Sequence, residues 1–231
     1  MAKRPIFIAE SHGPNLVRVQ SIEFTWFAGM AMSRRQMSMR SLHQAAQELH
    51  PESRILEVSR MSDDPLGERL SAFNLTLNHP ESGRDVPLEC VFQSSKVFER
   101  GGPFQDLLDA KPAEAKRDVR LQNSGCLTAF QHNGEYWPKE PLTAFYDWIY
   151  INALCEKPEL AESVLNYDIF TDIAFNPSKS INCQAGAVAL FVALVRAGKL
   201  DAALSSRDAF LNFEKGATTY EDADGGQRSL F

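Results

Sequence analysis

The order of strand and helix signals along the chain is what most constrains its fold. Four segments rich in β-branched and aromatic residues predict strands, and all of them lie before residue 80: PIFIAE, LVRVQSIEFTWF, RILEVS and LSAFNLTL. After Gly101-Gly102-Pro103 the chain carries mainly short helical patterns separated by proline and glycine. Because strands and helices are segregated instead of alternating, we expect a single α+β domain in which early strands are covered by later helices.

The helices can be placed along the chain by their periodicity and end signals. One is predicted in the first half, SRRQMSMRSLHQAAQELH, with Ser33 as its N-cap. The later segments are FQDLLDA, PAEAKRDVRLQ, LTAFYDWIYINALCEK, PELAESVLNYDIF and SINCQAGAVALFVALVRAGKL. The last is nearly all apolar and predicts a central helix, with Ser180 as N-cap and Gly198 at its end. We expect one domain over residues 1–213 and a polar, mobile tail over residues 214–231.

Composition indicates which kinds of partner and which location are expected, but it does not identify the function. A formal net charge of -6 over 231 residues argues against broad electrostatic wrapping of nucleic acid, although a local basic patch can still hold a few phosphates. The four cysteines form no CxxC pair and have no histidines at zinc spacing, so we expect no metal site. The amino terminus lacks an apolar signal core, and the run AGAVALFVALV is too short for a bilayer span. We therefore expect a cytoplasmic protein without membrane contact.

The segment PLECVFQSSKVFER, residues 87–100, carries the strongest candidate for chemistry. As one helix it would place Glu89, Gln93 and Lys96 on a single face of an otherwise apolar or small-residue surface. Burial favours the neutral amine of a lysine, which is a nucleophile toward an aldehyde or a sugar's anomeric carbon, whereas a nearby carboxylate opposes this effect. The spacing alone leaves an internal ion pair and an active site equally supported.

Three other groups of residues each allow a functional and a structural interpretation. The first group precedes the last apolar helix and suits either an anion site or a capped helix with a solvated loop. It consists of Asp172, Asn176, Lys179, Ser180 and Asn182. The aromatic residues Trp137, Phe145, Tyr146 and Trp148 suit either base stacking or a core. The basic segment SRRQMSMR suits either phosphate contact or a solvated helix face.

The order of these motifs resembles the NADAR superfamily, also called YbiA-like, over about residues 24–195. The family has an S-N-F strand, an E-x-x-F-Q-x-x-K helix, a W-G-D loop and a G-K-N-x-L-G helix. The matching segments here are LSAFNL, PLECVFQSSKVF, and TDIAFNPSKSINCQAGAVALFVAL. Ala72 replaces the asparagine of S-N-F, Phe170 and Thr171 replace W-G, and SINCQAG replaces the last motif. These departures resemble the branch found beside DarT-type DNA ADP-ribosyltransferase toxins.

The resemblance implies an N-glycosidase that removes ADP-ribose from guanine bases of DNA, single-stranded DNA included, or from a nucleotide. It implies catalytic roles for Lys96, Glu89 and Asp172. The chemistry of these residues supports the hypothesis that Lys96 forms a Schiff base while Glu89 moves protons. The expected substrate-binding residues are Phe92, Gln93, Phe73, Asn74, Arg117, Asn176, Lys179, Asn182 and Trp137. We expect no cofactor, ADP-ribose as a product, and a DarT-type toxin as the genetic and candidate physical partner.

Three alternatives stay open. A small phosphorylated ribosyl metabolite, as in riboflavin-pathway relatives, could be the substrate in place of a modified base. The protein could also bind ADP-ribose or a toxin without turnover, which the intact E-x-x-F-Q-x-x-K motif disfavours. In a mechanism with two carboxylates, Glu89 and Asp172 would act without a covalent lysine adduct.

Overall fold

A computed structural model describes residues 1–11, 15–80, 83–178, 180–221 and 227–228. The strands are β1 Ala2–Ala9, β2 Val17–Phe24, β3 Ile55–Glu57, β4 Thr76–Asn78, β5 Asp85–Pro87, β6 Lys96–Phe98, β7 Leu127–His132, β8 Glu135–Pro138, β9 Ile169–Thr171, β10 Thr218–Glu221 and β11 Gln227–Arg228. The helices are α1 Met32–Leu49, α2 Pro65–Arg69, α3 Leu88–Ser94, α4 Pro112–Ala115, α5 Arg120–Asn123, α6 Ala144–Cys155, α7 Pro158–Val164, α8 Gln184–Arg196, α9 Leu200–Leu204 and α10 Arg207–Glu214, with a 3₁₀ turn over Gln105–Asp109. This architecture confirms the α+β prediction. None of the helices in the described ranges is long and apolar enough to cross a bilayer.

A six-stranded mixed sheet in the order β11-β10-β2-β1-β9-β3 forms the centre of the fold. Its central strand β1 is buried on both faces, as expected for a strand covered by helices on either side. Ile6 and Ile8 pack with Met39 and Leu42 of α1. Phe7 lies in the larger core with the apolar residues of α8. The sheet therefore holds α1 and α8 on opposite faces, and both helices reach the candidate site.

Two predicted N-caps are wrong, whereas one predicted helix end is confirmed. Ala31, not Ser33, occupies the N-cap of α1. Cys183, not Ser180, occupies that of α8, which begins only at Gln184. Gly198 follows the C-cap of α8 with a φ of +65°, a conformation that glycine adopts without steric cost.

The predicted strand LSAFNLTL is mostly a turn. The carbonyl of Ser71 accepts hydrogen bonds from the backbone N–H groups of Asn74 and Leu75, at 2.7 and 2.8 Å. Serine and asparagine favour such turns, so pairing begins only at Thr76. No strand is predicted at β7 or β8, which form a second sheet with β6.

The predicted helix over residues 87–100 ends at Ser94, so the placement of Lys96 on its face is wrong. The hydroxyls of Ser94 and Ser95 both donate to the carbonyl of Val91, at 2.9 and 2.8 Å, which competes with continuation of the helix. Lys96 then opens β6, opposite Phe130 of β7. The turn Gly101-Gly102-Pro103 does not stop the helix but folds back on Lys96. A Cβ on Gly102, whose φ is +84°, would lie 2.2 Å from the Lys96 carbonyl oxygen.

The expected tail from residue 214 is described only in part. Thr218–Glu221 pair in parallel with residues 17–20 of β2, so this stretch extends the main sheet. Residues 222–226 and 229–231 lie outside the described residues, and the domain boundary at residue 213 stays a prediction.

Candidate active site

A cavity of about 540 Å³ opens between α3, the turn at residues 71–73, the loop after β3 and the loop before α8. It brings together eight of the twelve residues predicted for the site: Lys96, Glu89, Asp172, Phe92, Gln93, Phe73, Asn176 and Asn182. These come from segments more than 100 positions apart along the chain. The fold therefore creates one pocket from motifs that the sequence leaves separate.

Glu89 lies at the base of this cavity, with 5% of its surface exposed. Its Oε1 accepts a hydrogen bond from Nε2 of Gln93 at 2.8 Å, one helical turn away. Its Oε2 lies 3.4 Å from Nζ of Lys116, which reaches in from the end of α4. Glu89 is thus a fixed carboxylate with a cation on its open side.

Lys96 is half-buried, and its Nζ lies 4.6 Å from the ring centroid of Phe92. Burial lowers the pKa of Lys96 to about 8, while Glu89 acts to raise it and Lys116 acts to lower it further. About a tenth of this lysine is then a neutral amine at pH 7, because each pH unit below a pKa changes the ratio tenfold. A neutral amine is a nitrogen nucleophile, so a lysine with this pKa is suited to nucleophilic attack near neutral pH.

Asp172 is buried at the far wall, 9% exposed, where the chain leaves β9. Its Oδ1 accepts backbone N–H bonds from Ala174 at 2.9 Å and Phe175 at 3.2 Å. Burial raises the pKa of Asp172 to about 6, and these two amides act to lower it. At neutral pH Asp172 is mainly ionised and oriented by the loop backbone.

Glu57 lies behind Asp172 and is 1% exposed. Its carboxyl oxygens accept hydrogen bonds from the hydroxyls of Ser59 and Thr171 and from the backbone N–H of Ile173. Burial and the charge of Asp172 raise the pKa of Glu57 to about 8. Glu57 therefore anchors the Asp172 loop from below instead of lining the cavity.

The backbone of Ala72 joins the two helices that border the cavity. Its N–H donates to Oε1 of Gln184, at the start of α8, at 2.9 Å. Its carbonyl accepts from the N–H of Glu89 at 2.9 Å. The position where the family usually has asparagine is thus a backbone bridge in this chain.

Two polar atoms at the cavity lack a hydrogen-bond partner among the described residues. Oε1 of Gln93 and Oδ1 of Asn182 are both buried acceptors of this kind. Buried acceptors are usually satisfied, so both atoms are suited to the hydroxyl or amino groups of a ligand. Asn176 also lines the cavity, but its Oδ1 already accepts from the backbone and side chain of Ser178.

Three predicted residues lie away from the cavity, and one lies outside the described residues. Asn74 is exposed and donates to the carbonyl of Glu68, and Arg117 is exposed without lining the pocket. Trp137 is 1% exposed and packs against Phe145 and Trp148, so the core interpretation of the aromatic cluster is correct for it. Lys179 is the predicted residue that lies outside the described residues.

Several cavity residues were not predicted. Lys116 contacts Glu89 directly, and its Nζ lies 5.4 Å from the ring centroid of Phe73. The guanidinium of Arg60 lies 4.6 Å from the same ring. Tyr146, which the sequence predicts only as part of the aromatic cluster, also lines the cavity and meets Phe92 edge to face at 5.0 Å. The only sequence signal for Lys116 is its place beside Arg117 in AKRDVRL, and the structure brings Lys116, not Arg117, to the cavity.

Comparison with known proteins identifies the family of the chain. A search of curated proteins found no match. The family model described as a DarT1-associated NADAR antitoxin matches residues 2–224. This match covers nearly the whole chain and confirms the resemblance drawn from the motifs. The chain therefore belongs to the family of DarT1-associated NADAR antitoxins.

Proposed function

We propose that this protein is an ADP-ribosyl glycohydrolase that removes ADP-ribose from guanine bases of DNA in the cytoplasm. In this role it would act as the antitoxin of a DarT1-type toxin, by repairing the product of that toxin. The observation that carries the proposal is the pairing, in one cavity, of a lysine whose pKa is about 8 with a fixed buried carboxylate.

The first chemical step is attack of the Lys96 amine on the anomeric carbon of the ribose attached to the base. A C–N bond to Lys96 forms, and the bond from that carbon to the base nitrogen breaks. Its electron pair goes to the base, which takes up a proton, while the attacking nitrogen loses one. Glu89 is suited to carry this proton, since its carboxylate lies in the same cavity as the amine.

The second step releases the sugar. The ring oxygen leaves the anomeric carbon and is protonated, which gives an imine between Lys96 and the opened ribose. Water then adds to the imine carbon, with Glu89 as the base, and the bond to Lys96 breaks. The products are free ADP-ribose, the unmodified guanine and the neutral amine.

The remaining cavity residues fit binding roles. Gln93 and Asn182 offer their free acceptors to ribose hydroxyls, and Asp172 is an oriented carboxylate for the same hydroxyls. Phe92 and Phe73 provide apolar surface against the sugar and the base. Lys116 complements the pyrophosphate or the charge of Glu89. Because Arg117, Asn74 and Trp137 lie away from the cavity, we assign them no contact with substrate.

Borohydride trapping tests the covalent step against the mechanism with two carboxylates. The protein is mixed in excess with a guanine-ADP-ribosylated oligonucleotide, reduced, and digested for mass spectrometry. We expect a substrate-dependent adduct on Lys96 and none in Lys96→Ala. Hydrolysis without an adduct would support catalysis by Glu89 and Asp172. If neither a guanine-modified nor a thymine-modified oligonucleotide releases ADP-ribose, the proposed activity is wrong.

A further inference from the structure

The segment leading into α1 combines exposed apolar side chains with arginines next to the cavity. Of the ten exposed large hydrophobic residues among those described, four lie within residues 26–37: Trp26, Met30, Met32 and Met37. Trp26 is 38% exposed and Met30 is 83% exposed. Such a concentration in one stretch marks a surface that binds something.

The charge of this segment is opposite to that of the chain as a whole. The protein carries 30 acidic against 24 basic residues, yet positions 25–47 hold three arginines and no aspartate or glutamate. Among the described residues, no carboxylate forms an ion pair with Arg4, Arg34 or Arg35. Arg34 and Arg35 also lie in the first turn of α1, where positive charge opposes the helix dipole. These arginines do not stabilise the helix and are available to an anion.

Contacts with α1 place these side chains in a row that begins at the cavity. Arg35 lines the cavity, and its Nη2 lies 3.8 Å from Sδ of Met30. The segment then runs back along α1, where the N–H of Phe27 donates to Oγ of Ser38 at 2.9 Å. At the far end, the guanidinium of Arg4 lies 5.3 Å from the ring centroid of Trp26. The helix positions 35 and 38 differ by about 4.5 Å along the axis, so the row extends along α1 from the arginine that lines the cavity.

An aromatic ring and unpaired cations in a row are the features by which proteins hold single-stranded nucleic acid. Bases stack on aromatic rings and on guanidinium planes, while arginines contact the phosphates. We propose that one surface, here called the Trp26 surface, binds the single-stranded DNA that flanks the modified base. It consists of Arg4, Trp26, Met30, Arg34 and Arg35. This inference takes its substrate from the proposed function, but its first test does not depend on turnover.

The first test measures binding of an unmodified, fluorescent single-stranded nonanucleotide by anisotropy at several salt concentrations. Trp26→Ala should weaken binding about tenfold through the loss of one stacking interaction. Arg34→Ala should make the plot of log affinity against log salt shallower by about 0.7, the value for one phosphate contact on a single strand. Tyr136→Ala and Lys139→Ala are matched controls, since Tyr136 on β8 and Lys139 directly after it are both exposed and do not line the cavity.

The second test compares kcat/KM for an ADP-ribosylated nonanucleotide with that for the ADP-ribosylated mononucleotide. We expect the longer substrate to be favoured at least tenfold, and Trp26→Ala to reduce this preference. Equal kcat/KM values for the two lengths would overturn the Trp26 surface while leaving the proposed activity intact. Equal losses in the Trp26 and Tyr136 variants would also overturn it. If the Trp26 variant loses toxin binding and keeps oligonucleotide binding, the surface serves a protein and the proposal is wrong.

Discussion

Replacing Lys116 by methionine should raise the pKa of Lys96 and slow the reaction at neutral pH, but not at high pH. Lys116 lowers the pKa of Lys96 by its charge and also holds Oε2 of Glu89 at 3.4 Å. Without it, both the lost repulsion and the freed carboxylate favour the protonated form of Lys96. The substitution keeps an apolar chain beside Phe73, which limits the loss of packing.

The size of the effect follows from the exposure of Lys116. Its side chain is 57% exposed, so solvent screens much of its charge. We expect the pKa of Lys96 to rise by about half a unit to one unit, which lowers the neutral fraction at pH 7 by about three- to tenfold. At pH 10 Lys96 is mainly neutral in both proteins, so the two rates should converge.

The assay is kcat/KM for release of ADP-ribose from pH 6 to pH 10. The wild type should gain about tenfold per pH unit up to about pH 8 and then level off, because only the neutral amine attacks. Lys116→Arg retains the charge and should keep this profile. Lys111→Met removes an exposed cation outside the cavity and should change nothing. A loss in Lys116→Met that is constant from pH 7 to pH 10 would refute the reasoning and indicate that Lys116 holds substrate.

Three further predictions concern the same site. Glu89→Gln removes the charge that raises the pKa of Lys96, so the rate should fall while the inflection of its pH profile moves below pH 8; a fall without that movement contradicts the coupling. Gly102→Ala would place a Cβ against the Lys96 carbonyl oxygen. It should therefore lower the free energy of unfolding by more than the roughly 1 kcal/mol expected for Gly134→Ala, where φ is also positive but the added Cβ meets open space. Urea denaturation of both variants measures the difference. Burial raises the folded-state pKa of Glu57 from 4.5 to about 8, so ionisation of Glu57 should lower the stability of the protein as pH rises from about 5 to 8. Glu57→Gln should make the urea midpoint depend less on pH over this range. An unchanged slope of urea midpoint against pH would contradict the prediction.

The sequence predicts the site well where a local pattern is sufficient. Glu89 and Gln93 are one helical turn apart, and the structure keeps that turn and bonds their side chains. The helical period places Lys96 incorrectly, because two serine hydroxyls compete for the carbonyl of Val91 and end the helix. The helical period does not register this competition, so the sequence predicts the wrong geometry for Lys96, whose catalytic role stays a prediction.

The sequence fails where the site depends on long-range placement. Lys116 and Arg117 are neighbours with the same charge, and only the packing of α4 decides which one reaches Glu89. Trp137 has an aromatic ring on which a base could stack, but in the second sheet this ring is buried against α6. Such choices depend on contacts between distant segments, which no local pattern contains.

The bridge at Ala72 has a consequence for how this pocket can evolve. Its two hydrogen bonds are made by peptide atoms, which remain after any side-chain replacement except proline. Mutations at the neighbouring positions 71 and 73 can therefore reshape the mouth of the cavity without releasing α3 from α8. Selection can alter the shape of the pocket mouth while the spacing between Glu89 and Asp172 is inherited unchanged.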